Sequence, residues 1–289
     1  MIKATLPSNV PTLFDRQRVL HNRKRAAAGL MRHSVLLDDA GAELADRLSA
    51  VKRHFSRILD LGSRQLNLSR MLLKADPSRF IVHVPAADIR GSIGIHTAAA
   101  EEEALPFAPG SFDLVISNLS LHWVNDLPGT LAQIRAALKP DGFFLASLLG
   151  GATLYELRAA LMEAELEVRG GASAHVAPFT ELRDAAGLLQ RAGFALPVAD
   201  VSRLTLTYTD ILGLMHELRG MGEGNALADA RSRFVPRAVF ARADEIYRKR
   251  FGNESGLLPA SFEIIYLAGW APEQKPEVRS QKSEIKISS

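Results

Sequence analysis

Short apolar runs ending in glycine or a turn alternate along this chain with longer stretches whose apolar residues return at helical spacing. Thr12 to Ala28 and Leu36 to Val51 predict two leading helices, the second with Leu36, Leu37, Leu44, Leu48 and Val51 on one face. Arg57 to Gly62 predicts a buried strand entering a tight turn, with a helix over Leu66 to Ala75 behind it. Phe80 to Val84 predicts a second strand, Ile93 to Ala98 a third, and Phe112 to Ser117, preceded by Pro109-Gly110, a fourth. Pro85 to Gly91 is too short and broken for a crossover helix. A helix over Leu127 to Leu138 stops at Lys139-Pro140-Asp141-Gly142, and Phe143 to Leu149 is a fifth strand. Helices over Thr153 to Val168, Thr180 to Ala192, Asp210 to Arg219 and Arg237 to Phe251 follow. Strands over Val198 to Tyr208 and Phe262 to Ala268 are placed to close one sheet edge as an antiparallel hairpin. This rhythm predicts an α/β fold, a seven-stranded and mostly parallel sheet with helices on both faces.

With 289 residues, 47% of them hydrophobic, the chain can bury a substantial core, and its lack of cysteine excludes a disulfide framework, a thiolate metal site and a cysteine nucleophile. A net charge of +3 lends little support to polyanion binding, so no nucleic-acid partner is expected. No apolar stretch reaches the roughly 18 residues that span a bilayer, and residues 1–12 lack the charged start and apolar middle of a signal peptide. A cytoplasmic location is therefore expected. Arg16, Arg18, Arg23, Lys24 and Arg25 fit a mitochondrial presequence, a nucleic-acid arm or a solvated helix face, and the last is favoured because Leu13, Phe14, Val19 and Leu20 interleave with them to supply a buried one. The expected division is one domain over 1–272, comprising N-terminal helices (1–55), a nucleotide-binding half (56–150) and a substrate or lid half (151–272). The polar, aperiodic stretch 273–289 is expected to be a disordered tail.

Ligands of an open α/β sheet bind at the carboxyl ends of its strands. At the first such end Gly62 follows Asp60 closely and either lets the backbone approach a bound group or simply starts the turn. Glu101, Glu102 and Glu103 can accept from an exocyclic amine beside the apolar wall of Leu105 and Phe107, or form a solvated acidic turn. Asn118 to Asp126 gathers amides, His122 and Trp123, the indole serving equally as packing anchor or stacking platform. Gly170 to Pro178, with Ser173 and His175, predicts a lid, while Gly220 to Gly224 follows a helix and reads as a flexible helix end. There is no nucleophile elbow or P-loop, and the eight histidines form no close ligand pair, so no metal is expected.

Leu13 to Arg16, Leu105 to Phe107, Ser117 to Pro128, Lys139 to Gly142, Gly150 to Arg158, Pro178 to Thr180, Arg191 to Phe194, Gly220 to Glu223 and Pro259 to Phe262 together resemble the methyltransferase-like assembly factors of respiratory complex I. The resemblance spans most of the chain. It implies a class I, Rossmann-like methyltransferase fold, S-adenosyl-L-methionine as cofactor and a protein substrate. A mitochondrial member of this family is known as an arginine hydroxylase acting on an iron–sulfur subunit of complex I. On this footing Asp60, Gly62, Glu101, Glu102 and Asn118 are expected at the cofactor, His122, Tyr155 and His175 as catalytic candidates, and Trp123 and Asp126 toward substrate. The strand-four motif is also similar to that of the O-methyltransferase that esterifies a malonyl group on acyl carrier protein, which keeps methyl transfer as an alternative. A non-catalytic assembly chaperone is the third reading. The family's first loop reads D-x-G-x-G-x-G, but Arg64 and Leu66 stand where the second and third glycines belong. Val84-Pro85 replaces the acid that ends the second strand, and Asp88 is the nearest carboxylate. Side chains at the glycine positions can exclude the methionine part of the cofactor.

Overall fold

The computed structural model describes residues 11–85, 92–229 and 235–273. Asp88 and the expected tail beyond Glu273 lie outside the described residues. Five strands, β1 (Arg57–Leu61), β2 (Phe80–Val84), β3 (Ile95–Thr97), β4 (Phe112–Asn118) and β5 (Leu138–Leu149), run parallel. With β6 (Ala195–Tyr208) and β7 (Leu258–Trp270) they form one sheet in the order β3-β2-β1-β4-β5-β7-β6. Only β7 is reversed; it pairs antiparallel with both β5 and β6. This is the seven-stranded class I methyltransferase arrangement expected from the sequence. Strand order reverses around β1, which has β2 on one side and β4 on the other, so the ligand crevice falls at their carboxyl ends.

Alternation along the central strands sends side chains to two separate cores. Ile58, Ile81, Leu114, Ile116 and Leu145 face one cluster, which also takes Leu37 and Leu44 of α2 (Val35–Ser49), Leu72 of α3 (Asn67–Ala75) and Leu157 of α5 (Tyr155–Arg169). Ile246 of α8 (Arg237–Phe251) joins the same cluster. Leu59, Leu61, Val82, Val115 and Phe144 face the other, beneath Leu131 and Ile134 of α4 (Leu127–Ala137) and Leu188 and Leu189 of α6 (Leu182–Arg191). Both faces being covered explains why the inner strands read as continuous apolar runs.

The two remaining helices, α1 (Arg16–Ala26) and α7 (Ile211–Met221), pack against each other, and arginines of α1 reach Ser120 and Trp123 beyond the end of β4. The first helix starts at Arg16 instead of Thr12 and the last strand at Leu258 instead of Phe262, and two further departures are informative. Strand β5 starts at Leu138 instead of Phe143, because Asp141, at φ 61°, folds the Lys139–Gly142 turn into a register shift opposite Phe112 and Leu114. The third strand keeps only Ile95–Thr97, and Ile93 projects into solvent.

Candidate functional site

Two bulky residues adopt left-handed backbone conformations at this end of the sheet, Leu119 at φ 46° and Leu154 at φ 55°. Such conformations cost about 1–3 kcal/mol at non-glycine positions and persist only where packing enforces them. Here both side chains are buried, and the bend at Leu119 ends β4 and places the 3-10 turn Leu121–Trp123 over the strand tips. The bend at Leu154 starts α5 so that Leu154 and Leu157 face inward.

A cavity of about 240 Å³ lies below these bends. Leu149, Leu154, Leu157, Leu161, Phe179 and Phe262 make most of its wall apolar, while Trp123, His175, Asn225 and Glu223 add polar groups. Glu223 organises the site. Its Oε2 accepts from Trp123 Nε1 at 2.6 Å and His122 Nε2 at 3.1 Å, and its Oε1 is ion-paired with Arg64. Burial pushes the Glu223 carboxyl up, but the Arg64 guanidinium and His122 outweigh it and hold the group well below the usual carboxylate range. His122 Nδ1 accepts from the Leu149 amide at 3.4 Å, so the hydrogen-bond pattern puts the imidazole proton on Nε2. Burial lowers the pKa of His122 against the pull of Glu223, leaving a neutral ring with both nitrogens engaged. Sequence reasoning missed Glu223, reading Gly220 to Gly224 as a loose helix end. Gly222, at φ 78°, is in fact the left-handed cap of α7, and a Cβ there would come within 3.0 Å of the Arg23 Cα.

The tips of β1 to β3 are built differently. Glu102 is buried in ion pairs with Arg16 and Arg23 and accepts from Ser120 Oγ at 2.7 Å. Burial pushes its carboxyl up, yet the two guanidiniums prevail and hold it at about 2. The solvated reading is corrected for Arg16 and Arg23 while Arg25 stays exposed: Arg23 is 2% exposed, because the Glu102 carboxylate and Ser120 draw its guanidinium inward. A Cβ on Gly62, at φ 73°, would overlap Ser120 and stand 2.9 Å from Glu102 Oε1, so this position needs glycine for space as well as conformation. Asp60 is buried beside His83, its Oδ2 accepting from Ser69 Oγ while Oδ1 has no hydrogen-bond partner among the described residues. Glu101 is half-buried, and burial raises its pKa. The two loop substitutions part company: Leu66 turns into the core, whereas Arg64 folds over the end of β4, donating to Leu119 O at 3.0 Å and Met221 O at 2.6 Å.

Other expected residues hold different places. The Asn118 amide donates to Leu37 O at 3.0 Å and accepts from Ser147 Oγ at 2.9 Å, which ties α2 to the sheet. Asp126, expected toward substrate, caps α4 by accepting from Gly129 N at 2.8 Å. Tyr155 lies outside the cavity, 48% exposed and edge-on to Phe251, because the left-handed turn at Leu154 directs it outward. His175 reaches the cavity wall, where Glu165 binds His175 Nε2 at 3.0 Å and both Ser173 N and Oγ at 2.7 Å. The segment expected as a lid is therefore pinned to α5. Among the described residues no group of three or more His, Asp or Glu is placed to hold a metal ion, and no helix is long and apolar enough to cross a membrane.

Comparisons with known proteins bear on this arrangement. A family model for a methyltransferase domain matches residues 21–197. The mitochondrial arginine-hydroxylase NDUFAF5 of Danio rerio is 37% identical over 96% of this chain and 88% of its own length. A malonyl-[acyl-carrier protein] O-methyltransferase of Gallionella capsiferriformans is 31% identical over 90% of this chain and 92% of its own. Among solved structures, the Haemonchus contortus phosphoethanolamine N-methyltransferase 2 in complex with S-adenosyl-L-methionine shares the fold, with TM-score 0.54, 13% identity, and 93% of this chain and 62% of that one covered. The expectation of a cytoplasmic location is overturned by the NDUFAF5 proteins of Danio rerio, Homo sapiens and Mus musculus, all named as mitochondrial. With the NLSLHWVND stretch and the GMGE turn joined at one buried carboxylate, and with these matches over most of its length, the chain belongs to the NDUFAF5 family within the methyltransferase superfamily.

Proposed function

We propose that this chain acts on a protein in respiratory complex I assembly, hydroxylating an arginine of an iron–sulfur subunit. The observation that carries this reading is the apolar cavity ending at Glu223. At about 240 Å³ it is smaller than the roughly 300–1,000 Å³ of small-molecule pockets and suits one long side chain. An ionised carboxylate offers about four acceptor positions, of which Arg64, Trp123 and His122 take three. One acceptor remains for an incoming N–H, while the leucines provide for a methylene stem. His122 is a positioning residue here, holding Glu223 from behind. A malonyl carboxylate would meet the like charge of Glu223, which counts against the esterification reading.

S-adenosyl-L-methionine is the cofactor that the fold supports, and when bound it supplies an electrophilic methyl group, which serves the methyl-transfer alternative. Hydroxylation replaces a C–H bond of the arginine by C–OH and draws its oxygen atom from an external oxidant, dioxygen with a two-electron co-reductant that takes the second oxygen to water. Asp60, with its unpartnered Oδ1, Gly62 and Glu101 are the residues that would hold its adenosine end. Arg64 occupies the side toward β4 and has to leave Glu223 for the methionine end to seat. Calorimetry on wild type and Arg64→Gly tests this point, tighter binding by the variant being the expected result. The reaction is tested by tandem mass spectrometry of complex I subunits from cells carrying wild type or Leu157→Trp, a substitution that fills the cavity. An oxygen atom gained on an arginine with wild type and absent with the variant is expected. Unmodified arginines in wild-type cells would sink the hydroxylase reading, and a methyl group instead of oxygen would move the chain to methyl transfer.

A further inference from the structure

A second cleft opens where α1, the 3-10 turn Leu30–His33 and α7 meet, with a volume of about 490 Å³. Arg25, Arg32 and Arg219 line it together with His33 and His216. The three guanidiniums are exposed, and none has an ion partner among the described residues. This sets them apart from Arg23 and Arg64, which are buried against glutamates, and from the half-buried Arg16, which pairs with Glu102. The carboxylate at this face, Glu217, is already held by His33 Nδ1 at 2.6 Å. A chain whose net charge is only +3 therefore concentrates unneutralised positive charge in one concave place. The walls are fixed from within: Asn22 Nδ2 donates to Gly224 O at 3.1 Å, and any side chain at Gly220 would overlap the His33 ring. Arg219 and Gly224 also line the apolar cavity, so the two hollows share a rim.

We propose that this basic cleft docks a carboxylate-rich segment of the protein substrate, a few residues from the side chain delivered into the apolar cavity. The inference rests on the protein-modifying reading given above and adds the sequence character of the substrate. Guanidinium forks bind carboxylates bidentately, and a cleft of fixed shape lets several act on one peptide. Because the cleft is open to solvent, the attraction weakens with salt over the Debye length.

The test is fluorescence polarisation of a labelled hexaglutamate peptide against the full chain at low ionic strength, with wild type, the triple variant Arg25→Ala, Arg32→Ala, Arg219→Ala, and Leu157→Trp. Saturable, salt-sensitive binding to wild type is expected, weakened about tenfold or more in the triple variant and unchanged in Leu157→Trp. Exposed positions of this kind shift stability by about 0.5 kcal/mol or less, so the triple variant should melt with wild type. Equal affinity for wild type and triple variant overturns the proposal. So does stronger, arginine-dependent binding of anionic phospholipid vesicles or of single-stranded RNA than of the peptide. Peptide binding is read without turnover: its failure with arginine modification intact removes this inference alone, and its success without modification removes only the hydroxylase reading.

Discussion

The carboxyl ends of β1 to β3 and those of β4 and β5 form two halves of one crevice, yet they are finished in opposite ways. The first is lined with charge, with Glu102 held between Arg16 and Arg23 and Ser120 packed against the Cβ side of Gly62. The second is an open apolar hollow with one carboxylate at its end. The halves meet at Arg64, which leaves the glycine loop of the first to neutralise Glu223 in the second. The difference teaches that substituting loop glycines did more than remove backbone freedom: it exported a charge that the neighbouring site now depends on.

The largest test of that dependence is Glu223→Ala, which strands the buried Arg64 guanidinium. Breaking a buried pair from one side costs about 3–5 kcal/mol, and urea unfolding should show it, whereas Arg64→Met with Glu223→Leu should recover most of the loss. A single-variant cost below about 1 kcal/mol would mean that the two halves are energetically independent.

Glu102 gives the charge-lined half its own signature. Its folded pKa of about 2 lies below the ordinary 4.5, so its stabilisation is complete above 4.5 and lost as pH falls toward 2. Glu102→Gln should flatten the stability profile across that window. The other half adds a limb at higher pH: the folded pKa of His122 lies below its ordinary 6.5, so unfolding gains protons and stability falls as pH drops below 6.5, while Glu223, also held below its ordinary 4.5, shares the lower window with Glu102. An upper limb removed by substituting His122, and a lower limb reduced but not abolished by Glu102→Gln because Glu223 remains, sharpen the comparison; one merged limb would break it.

Trp123→Phe keeps the ring and removes the donor to Glu223. A hydrogen bond to a charged group is worth about 1.5–3 kcal/mol, and thermal melting should register a loss near the lower figure. The smallest effect belongs to Tyr155→Phe. This exposed ring lies outside the cavity, so stability should change by about 0.5 kcal/mol or less and arginine modification should persist. Loss of modification in Tyr155→Phe would extend the working half beyond the hollow described.

The periodicity of apolar positions carried the sheet well, because strands buried on both faces and helices buried on one leave patterns that do not depend on distant contacts. Phe80–Val84 and Arg237–Phe251 fall where the sequence puts them. The site was legible in its location and much less in its roles. Asn118 and Asp126 stand in a motif rich in hydrogen-bonding groups, and nothing in their spacing told that one ties down α2 and the other caps α4. Arg23 and Glu223 looked like surface residues because their partners lie 79 and 101 positions away in the chain, at Glu102 and His122. Burial of charge is a property of such pairs, and single-residue hydrophobicity does not contain it.

Strand β7 is the last in chain order and yet lies inside the sheet, between β5 and β6. During synthesis, every earlier element can be out and collapsed while β5 and β6 still expose two unsatisfied backbone edges, and residues 258–270 close both at once. A chain cut just before Leu258 would therefore lose more than one strand: it would present two sticky borders to its neighbours, and aggregation should outrun any partial fold.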